Sequence, residues 1–166
     1  TMKVKLDERE IELVFERLTR LKTAIIDTSS IIYLQKAGFL QPAAGAIKFL
    51  TIPQVIEEVG RGNLPVEVIE PPETTDEEET DRVLFATALI LQKPMISEDR
   101  AILLKCGERG IEYYNAYNLL IMLRLRNLID EADFNRYETN LLAAAHYGRF
   151  VIDYIECLKQ HLWKVI

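Results

Sequence analysis

Apolar residues along this chain recur with two different periods, and the alternation between them predicts the elements. Residues 7–22, DEREIELVFERLTRLK, put Ile11, Phe15 and Leu18 on one helical stripe with Val14 and Leu21 beside it, which predicts a packing helix. The short run Ala24-Ile25-Ile26 then reads as a buried strand. It ends in Asp27, and Thr28, Ser29 and Ser30 follow at once, all residues suited to start a helix. That helix runs from Ser30 to a stop at Gly38. PAAGAIKFL leads into a second strand near Lys48 to Thr51. TIPQVIEEVGRG predicts a helix with Thr51 and Gln54 as a capping box, Pro53 in its first turn and Gly60 and Gly62 as its stop.

On that helix Ile52, Val55, Ile56 and Val59 form the inner stripe; Glu58 lies beside it and Glu57 nearly opposite. Val66 to Ile69 alternates as a third strand. An acidic loop, PPETTDEEETD, passes into a helix from about Asp76 to Leu91, on which Asp81 shares a stripe with Phe85 and Ala88. Pro94 to Ile96 is a fourth strand, SEDRAILLKCGERG a helix with Asp99 in its first turn, and Ile111 to Tyr114 a fifth strand. Three helices complete the chain: Ala116 to Arg126, strongly apolar; one capped by Asp130 to about Ala145; and one from about Arg149 to Lys164. Strands alternating with helices predict an α/β three-layer sandwich around a mainly parallel, roughly five-stranded sheet, with extra N-terminal and C-terminal helices.

Composition narrows what such a fold serves. A chain of 166 residues suits one domain: a core over about 24–115, the first helix over 7–22 and a helical extension over 116–166. No apolar run approaches the roughly 20 residues of a membrane span, and the N-terminus, TMKVKLDERE, is charged where a signal peptide would be apolar. Cys106 and Cys157 stand far apart without neighbouring His, which points to a reducing cytoplasm and away from zinc. The formal charge of −6 runs against nonspecific nucleic-acid binding, which draws on Lys and Arg. A nucleic-acid partner would have to be met by a local basic rim.

Four acids stand out by position: Asp27 after the first strand, Glu58 on the inner edge of a helix, Asp81 on an apolar stripe and Asp99 after the fourth strand. Singly each fits an ordinary role, Asp27 and Asp99 as helix-start acids and Glu58 and Asp81 as solvated charges. Ligands in open parallel sheets sit beyond the carboxyl ends of the strands. Clustered carboxylates repel one another unless they share protons or a cation, and hard cations such as Mg²⁺ and Mn²⁺ take oxygen ligands.

The succession DTSSIIYLQKAG, IPQVIEEV, TDRVLFATAL and MISEDRAIL resembles that of PIN domains, metal-dependent nucleases common among toxin–antitoxin ribonucleases and RNA-processing factors. The resemblance spans residues 24 to about 115, is closest from Asp81 to Asp99, and extends loosely to the helical tail. It implies that Asp27, Glu58, Asp81 and Asp99 form the family's acidic quartet, with Asp27, Asp99 and Asp81 on the metal and Ser29 and Ser97 in support. It implies Mg²⁺ or Mn²⁺ as cofactor, in-line hydrolysis of RNA leaving a 5′-phosphate and a 3′-hydroxyl, and an antitoxin as a protein partner. Glu57 beside Glu58 leaves the second position open, and the first helix is extra to the family's core. Arg61, Arg82, Arg100 and Lys36 lie near the motifs and are candidate phosphate contacts.

Rival chemistries fit less well. Aspartyl-phosphate enzymes of the haloacid-dehalogenase kind need a second Asp where Ser29 stands; a receiver domain needs an acidic pair on its first strand and a Lys after its fifth; no Gly-x-Gly-x-x-Gly follows any strand. The remaining alternative is a PIN-like module that keeps its acids but only binds. The apolar helix YNLLIMLRLRN has more apolar side chains than one face hides, which predicts a homodimer or antitoxin contact there.

Overall fold

The first strand, β1 (Thr23–Ile26), is central because Ala24, Ile25 and Ile26 are apolar on both faces and all three are fully buried. In the computed structural model, which describes residues 5–60, 62–71 and 79–166, β1 pairs in parallel on both sides. On one side lies β2 (Lys48–Thr51), with Ile25 opposite Leu50; on the other lies β4 (Met95–Ile96), with Ile25 opposite Met95. Two short edge strands, β3 (Glu67–Val68) and β5 (Tyr113–Tyr114), complete a five-stranded parallel sheet in the order β3-β2-β1-β4-β5.

This is the expected α/β sandwich. The connecting helices are α2 (Thr28–Ala37), α3 (Leu40–Ala46), α4 (Pro53–Val59), α5 (Thr80–Leu91) and α6 (Arg100–Glu108). Right-handed crossovers place α2 to α4 on one face and α5 with α6 on the other, as the α2–α4 and α5–α6 packing bears out. The chain steps outward from β1 to β3, then crosses back to β4 on the opposite side of β1. The direction of winding thus reverses between β1 and β4, which opens a crevice beyond their carboxyl ends.

Local sequence explains most boundaries. Gly38 closes α2 at φ 94°, where an L side chain would be strained, and its N–H reaches the Leu34 carbonyl at 3.0 Å. Asp7 and Glu10 form a capping box at the start of α1 (Glu8–Arg20). The box expected at Thr51 does not form: Thr51 ends β2, its buried hydroxyl donates to the Ile26 carbonyl at 2.9 Å, and Ile52 stands at the cap of α4 without a side-chain bond. The α2 helix begins at Thr28, two residues earlier than expected, with Asp27 as its N-cap, and α3 was not foreseen. The start expected near Asp76 lies outside the described residues; α5 is described from Thr80.

The C-terminal helices do not behave as the apolar pattern implied. In α7 (Ala116–Leu125) every residue from Ala116 to Leu123 is buried, because α1, α3, α8 (Glu131–Ala145) and α9 (Arg149–Val165) all pack on it. The helix is hydrophobic all round because it is enclosed all round, and it offers no apolar stripe to a partner. Each such Leu or Ile is worth about 1.5–3 kcal/mol on burial. Arg126, just past α7, fixes α1 by donating to the carbonyls of Leu18 and Leu21.

Candidate functional site

Asp27 is 5% exposed at the mouth of the β1–β4 crevice. Its backbone N–H continues the sheet by donating to the Ile96 carbonyl at 2.9 Å. Its carboxylate accepts from the Thr28 N–H at 2.6 Å and from the Ser97 hydroxyl at 3.0 Å. Burial pushes the carboxyl above the usual carboxylate range; the Ser97 and Thr28 bonds pull it back, and Asp81 and Glu58 push it up further. An ionised Asp27 is thus held in place at an electrostatic cost that a cation would relieve.

Ser97 ties two of the predicted residues together. While its hydroxyl donates to Asp27, its oxygen accepts from the Asp99 N–H at 3.1 Å. Asp99 is not inside the first turn of α6 but caps it, with Oδ1 accepting from the N–H groups of Ala101 at 2.8 Å and Ile102 at 3.4 Å. Across the crevice Glu58 is exposed yet fixed, accepting from the Thr28 hydroxyl at 2.7 Å and from the Thr80 hydroxyl. It therefore joins the starts of α2 and α5, while Glu57 makes no such link among the described residues.

Asp81, in the first turn of α5, does not sit on a buried face as the helical stripe suggested; it is exposed, because α5 begins only at Thr80 and its first turn stands proud of the core. Its carboxyl is nonetheless raised, first by partial desolvation, then by Asp99, Glu58 and Glu79, with Lys105 opposing. Asp81 is thus within electrostatic reach of Asp27, Asp99 and Glu58, and Glu58 also acts on Asp27. Among the described residues, however, no three Asp, Glu, His or Cys side chains come close enough together to enclose a metal ion. The donor chemistry still suits Mg²⁺, which takes one or two carboxylates directly and keeps water on its other positions.

The supporting residues are partly redistributed. Ser97 supports Asp27 as expected, but Ser29 does not: its side chain is half-exposed on α2, and the bonds to Asp27 come from Ser97 and the Thr28 amide. Arg82 and Arg100 are exposed beside Asp81 and Asp99. Lys36 stands in the last turn of α2, about 12 Å along the axis from its start at a rise of ~1.5 Å per residue, and so away from the acids. Arg61 lies outside the described residues. The basic rim at these positions is thin.

No protein-family model matches this chain. No curated protein matches either. Among solved structures, a PilT N-terminus domain protein from the hyperthermophilic archaeon Sulfolobus solfataricus P2 aligns over 58% of this chain and 89% of its own, at 18% identity and a TM-score of 0.42. A likeness that loose decides nothing about this chain's chemistry.

One carboxylate at this rim was missed by sequence reasoning. Glu98, between Ser97 and Asp99, turns inward and accepts from the Tyr147 hydroxyl at 2.6 Å, from the Ala116 N–H at 3.1 Å and from the Ser30 hydroxyl. Burial raises its carboxyl, those three donors lower it, and Asp27 raises it. Its signal in the sequence is weak, an acid among polar neighbours after an apolar strand. Two depressions of about 340 and 330 Å³ lie elsewhere, one at the amino ends of β4 and β5 around Lys93 and Arg109, the other between α1 and α9.

Proposed function

We propose that this protein is a metal-dependent nuclease acting on single-stranded RNA, with Asp27, Glu58, Asp81 and Asp99 as its acidic quartet. The observation that carries the reading is Asp27, buried at the switch point of a parallel sheet and held by Ser97, with Asp81 and Glu58 acting on it electrostatically and Asp99 acting on Asp81. The motif resemblance to PIN domains supports it independently. Asp27 and Asp99 would hold a Mg²⁺ or Mn²⁺ ion, with Asp81 and Glu58 joining directly or through water. Such an ion would polarise a phosphodiester and acidify an attacking water.

The chain's own groups do the rest. Ser97 and the Thr28 amide fix both Asp27 oxygens, so Asp27 is presented in one orientation. Thr28 and Thr80 hold Glu58 in place between two helix starts. Arg82 and Arg100 would meet phosphates on either side. A toxin role with an antitoxin partner rests on the resemblance; a homodimer would have to bury a surface other than Ala116 to Leu123, which are covered within the chain.

One observation favours a second reading, a module that binds without cutting: no three acids among the described residues are gathered tightly enough to enclose an ion, and the net charge is −6. The two readings separate when the protein is incubated with varied single-stranded RNAs and Mn²⁺, then again with EDTA and as Asp27→Asn. Cleavage abolished by both controls supports the nuclease. Intact RNA throughout supports the binding module.

A further inference from the structure

Glu98 is half-buried, a costly place for a carboxylate. An enclosed carboxylate costs free energy unless donors satisfy it, and an apolar residue of similar volume would often serve stability as well or better. Here three donors from three distant segments converge on it: the Ser30 hydroxyl on α2, the Ala116 N–H at the start of α7, and the Tyr147 hydroxyl from the turn between α8 and α9. The N-terminus of α7 adds a favourable dipole. His146, at φ 50°, makes the left-handed turn that brings Tyr147 inward. The Tyr147 ring is then seated by stacking on Tyr117 at 5.6 Å between centroids and by an edge contact with Tyr33 at 6.4 Å.

The place where this happens is the short turn from β4 to α6. Residue 97 on one side of Glu98 donates to Asp27, and residue 99 on the other caps α6. Drawing residue 98 inward therefore fixes the direction in which residues 97 and 99 point. We propose that Glu98 and Tyr147 are positioning residues of the acidic site: the C-terminal tail, through the Tyr147 hydroxyl, pins Glu98, and Glu98 sets the turn that aligns Ser97 on Asp27 and presents Asp99. The acidic rim is thus completed by a segment outside the α/β core. The effect on metal binding and cleavage rests on the nuclease reading above; the effect on the turn's geometry does not.

Tyr147→Phe is the informative variant, since it keeps the ring contacts and removes only the hydroxyl. In the full-length protein three quantities are compared with wild type: the backbone amide shifts of Asp27, Ser97 and Asp99, the affinity for Mn²⁺ alone by calorimetry, and kcat and KM on single-stranded RNA. The expected result is displaced amide signals at all three residues, Mn²⁺ affinity about ten- to hundredfold weaker, as for other outer-shell partners, and a lower kcat at unchanged KM, with thermal midpoint near that of wild type.

Glu98→Gln should give the same pattern, and adding Tyr147→Phe to it should cost little more, because the two act as one unit. If Glu98→Gln does not fold, Tyr147→Phe decides alone. Unmoved amide signals with wild-type Mn²⁺ affinity and kcat in Tyr147→Phe would overturn the proposal. A wild-type protein that neither binds Mn²⁺ nor cleaves RNA overturns the nuclease reading instead, and the amide shifts then decide the positioning claim by themselves.

Discussion

The two sides of the acidic rim are built differently. On the β4 side, Asp27 and Ser97 are buried and Glu98 half-buried, bonded to one another's segments and backed by β1, β4 and the buried stretch Ala116 to Leu123 of α7. On the α5 side, Asp81 and Glu58 are exposed, and the Thr80–Glu58 bond is the hydroxyl link that ties the start of α5 to α4. One side is pre-set by packing; on the other, Glu58 is held only by two hydroxyl bonds and Asp81 stands in solvent. A site of this kind would meet a cation with Asp27 already held and Asp81 able to close on it, which fits acids that act on one another electrostatically yet are not gathered into a closed cluster among the described residues.

If the fixed side rests on α7, disturbing α7 has the largest effect. Leu120→Ala, at a fully buried position, should cost about 2–5 kcal/mol of unfolding free energy, while Leu104→Ala, 57% exposed on α6, should cost less than about 0.5 kcal/mol. Urea midpoints with a common slope measure both. Equal, small losses would mean that α7 is not the support of the fixed side.

Next come the acids themselves. Asp27→Asn should lower RNA cleavage by more than about a hundredfold, above the range for outer-shell partners, and added Mn²⁺ should not restore it. Asp81→Asn should lose less, and a higher Mn²⁺ concentration should recover most of that loss, because its side of the rim adapts. Similar losses with similar rescue would erase the distinction. Smaller again is Thr80→Val, which removes one hydroxyl bond to Glu58 and should cost about 1 kcal/mol, or roughly fivefold in cleavage, with little change in folding.

The sequence disclosed the two sides unequally, for physical reasons. Strand runs such as Ala24 to Ile26 and Pro94 to Ile96 end in polar residues at positions 27 and 97, and the period change there marks the crevice without further information. Helix stripes located Ile11, Phe15 and Leu18 correctly for the same reason. What a stripe cannot report is where a helix begins. Asp81 shares a stripe with the buried Ala88, but it lies in the first turn of α5, where that stripe has not yet reached the core.

Long-range polar contacts were out of reach. Nothing in SEDR says that Glu98 meets a hydroxyl 49 positions later, and nothing in AIIDTSS says that Thr28 serves Glu58, Ser30 serves Glu98 and Ser29 serves neither. The apolar richness of α7 was legible; that α1, α2, α3, α8 and α9 would together cover it was a property of the tertiary packing.

The smallest expected effect is on the pH dependence of stability, and its sign follows from the fixed side. Burial raises the Asp27 carboxyl above its unfolded value. Between the unfolded and the raised folded value the native chain holds more protons than the unfolded one, so Asp27 lowers stability as pH rises through that window. Asp27→Asn removes this contribution while keeping an acceptor for the Thr28 N–H.

The variant should therefore match wild type near pH ~4, where a solvated aspartate is half protonated, and become the more stable of the two as pH rises toward neutrality. Mn²⁺ should narrow the gap at neutral pH, because a cation that binds only the folded, ionised form stabilises wild type selectively. Urea midpoints for both proteins across that range, with and without Mn²⁺, measure this directly. A constant difference would mean that Asp27 ionises like a solvated carboxylate, and the contrast between a fixed, electrostatically costly side and a free one would lose its basis.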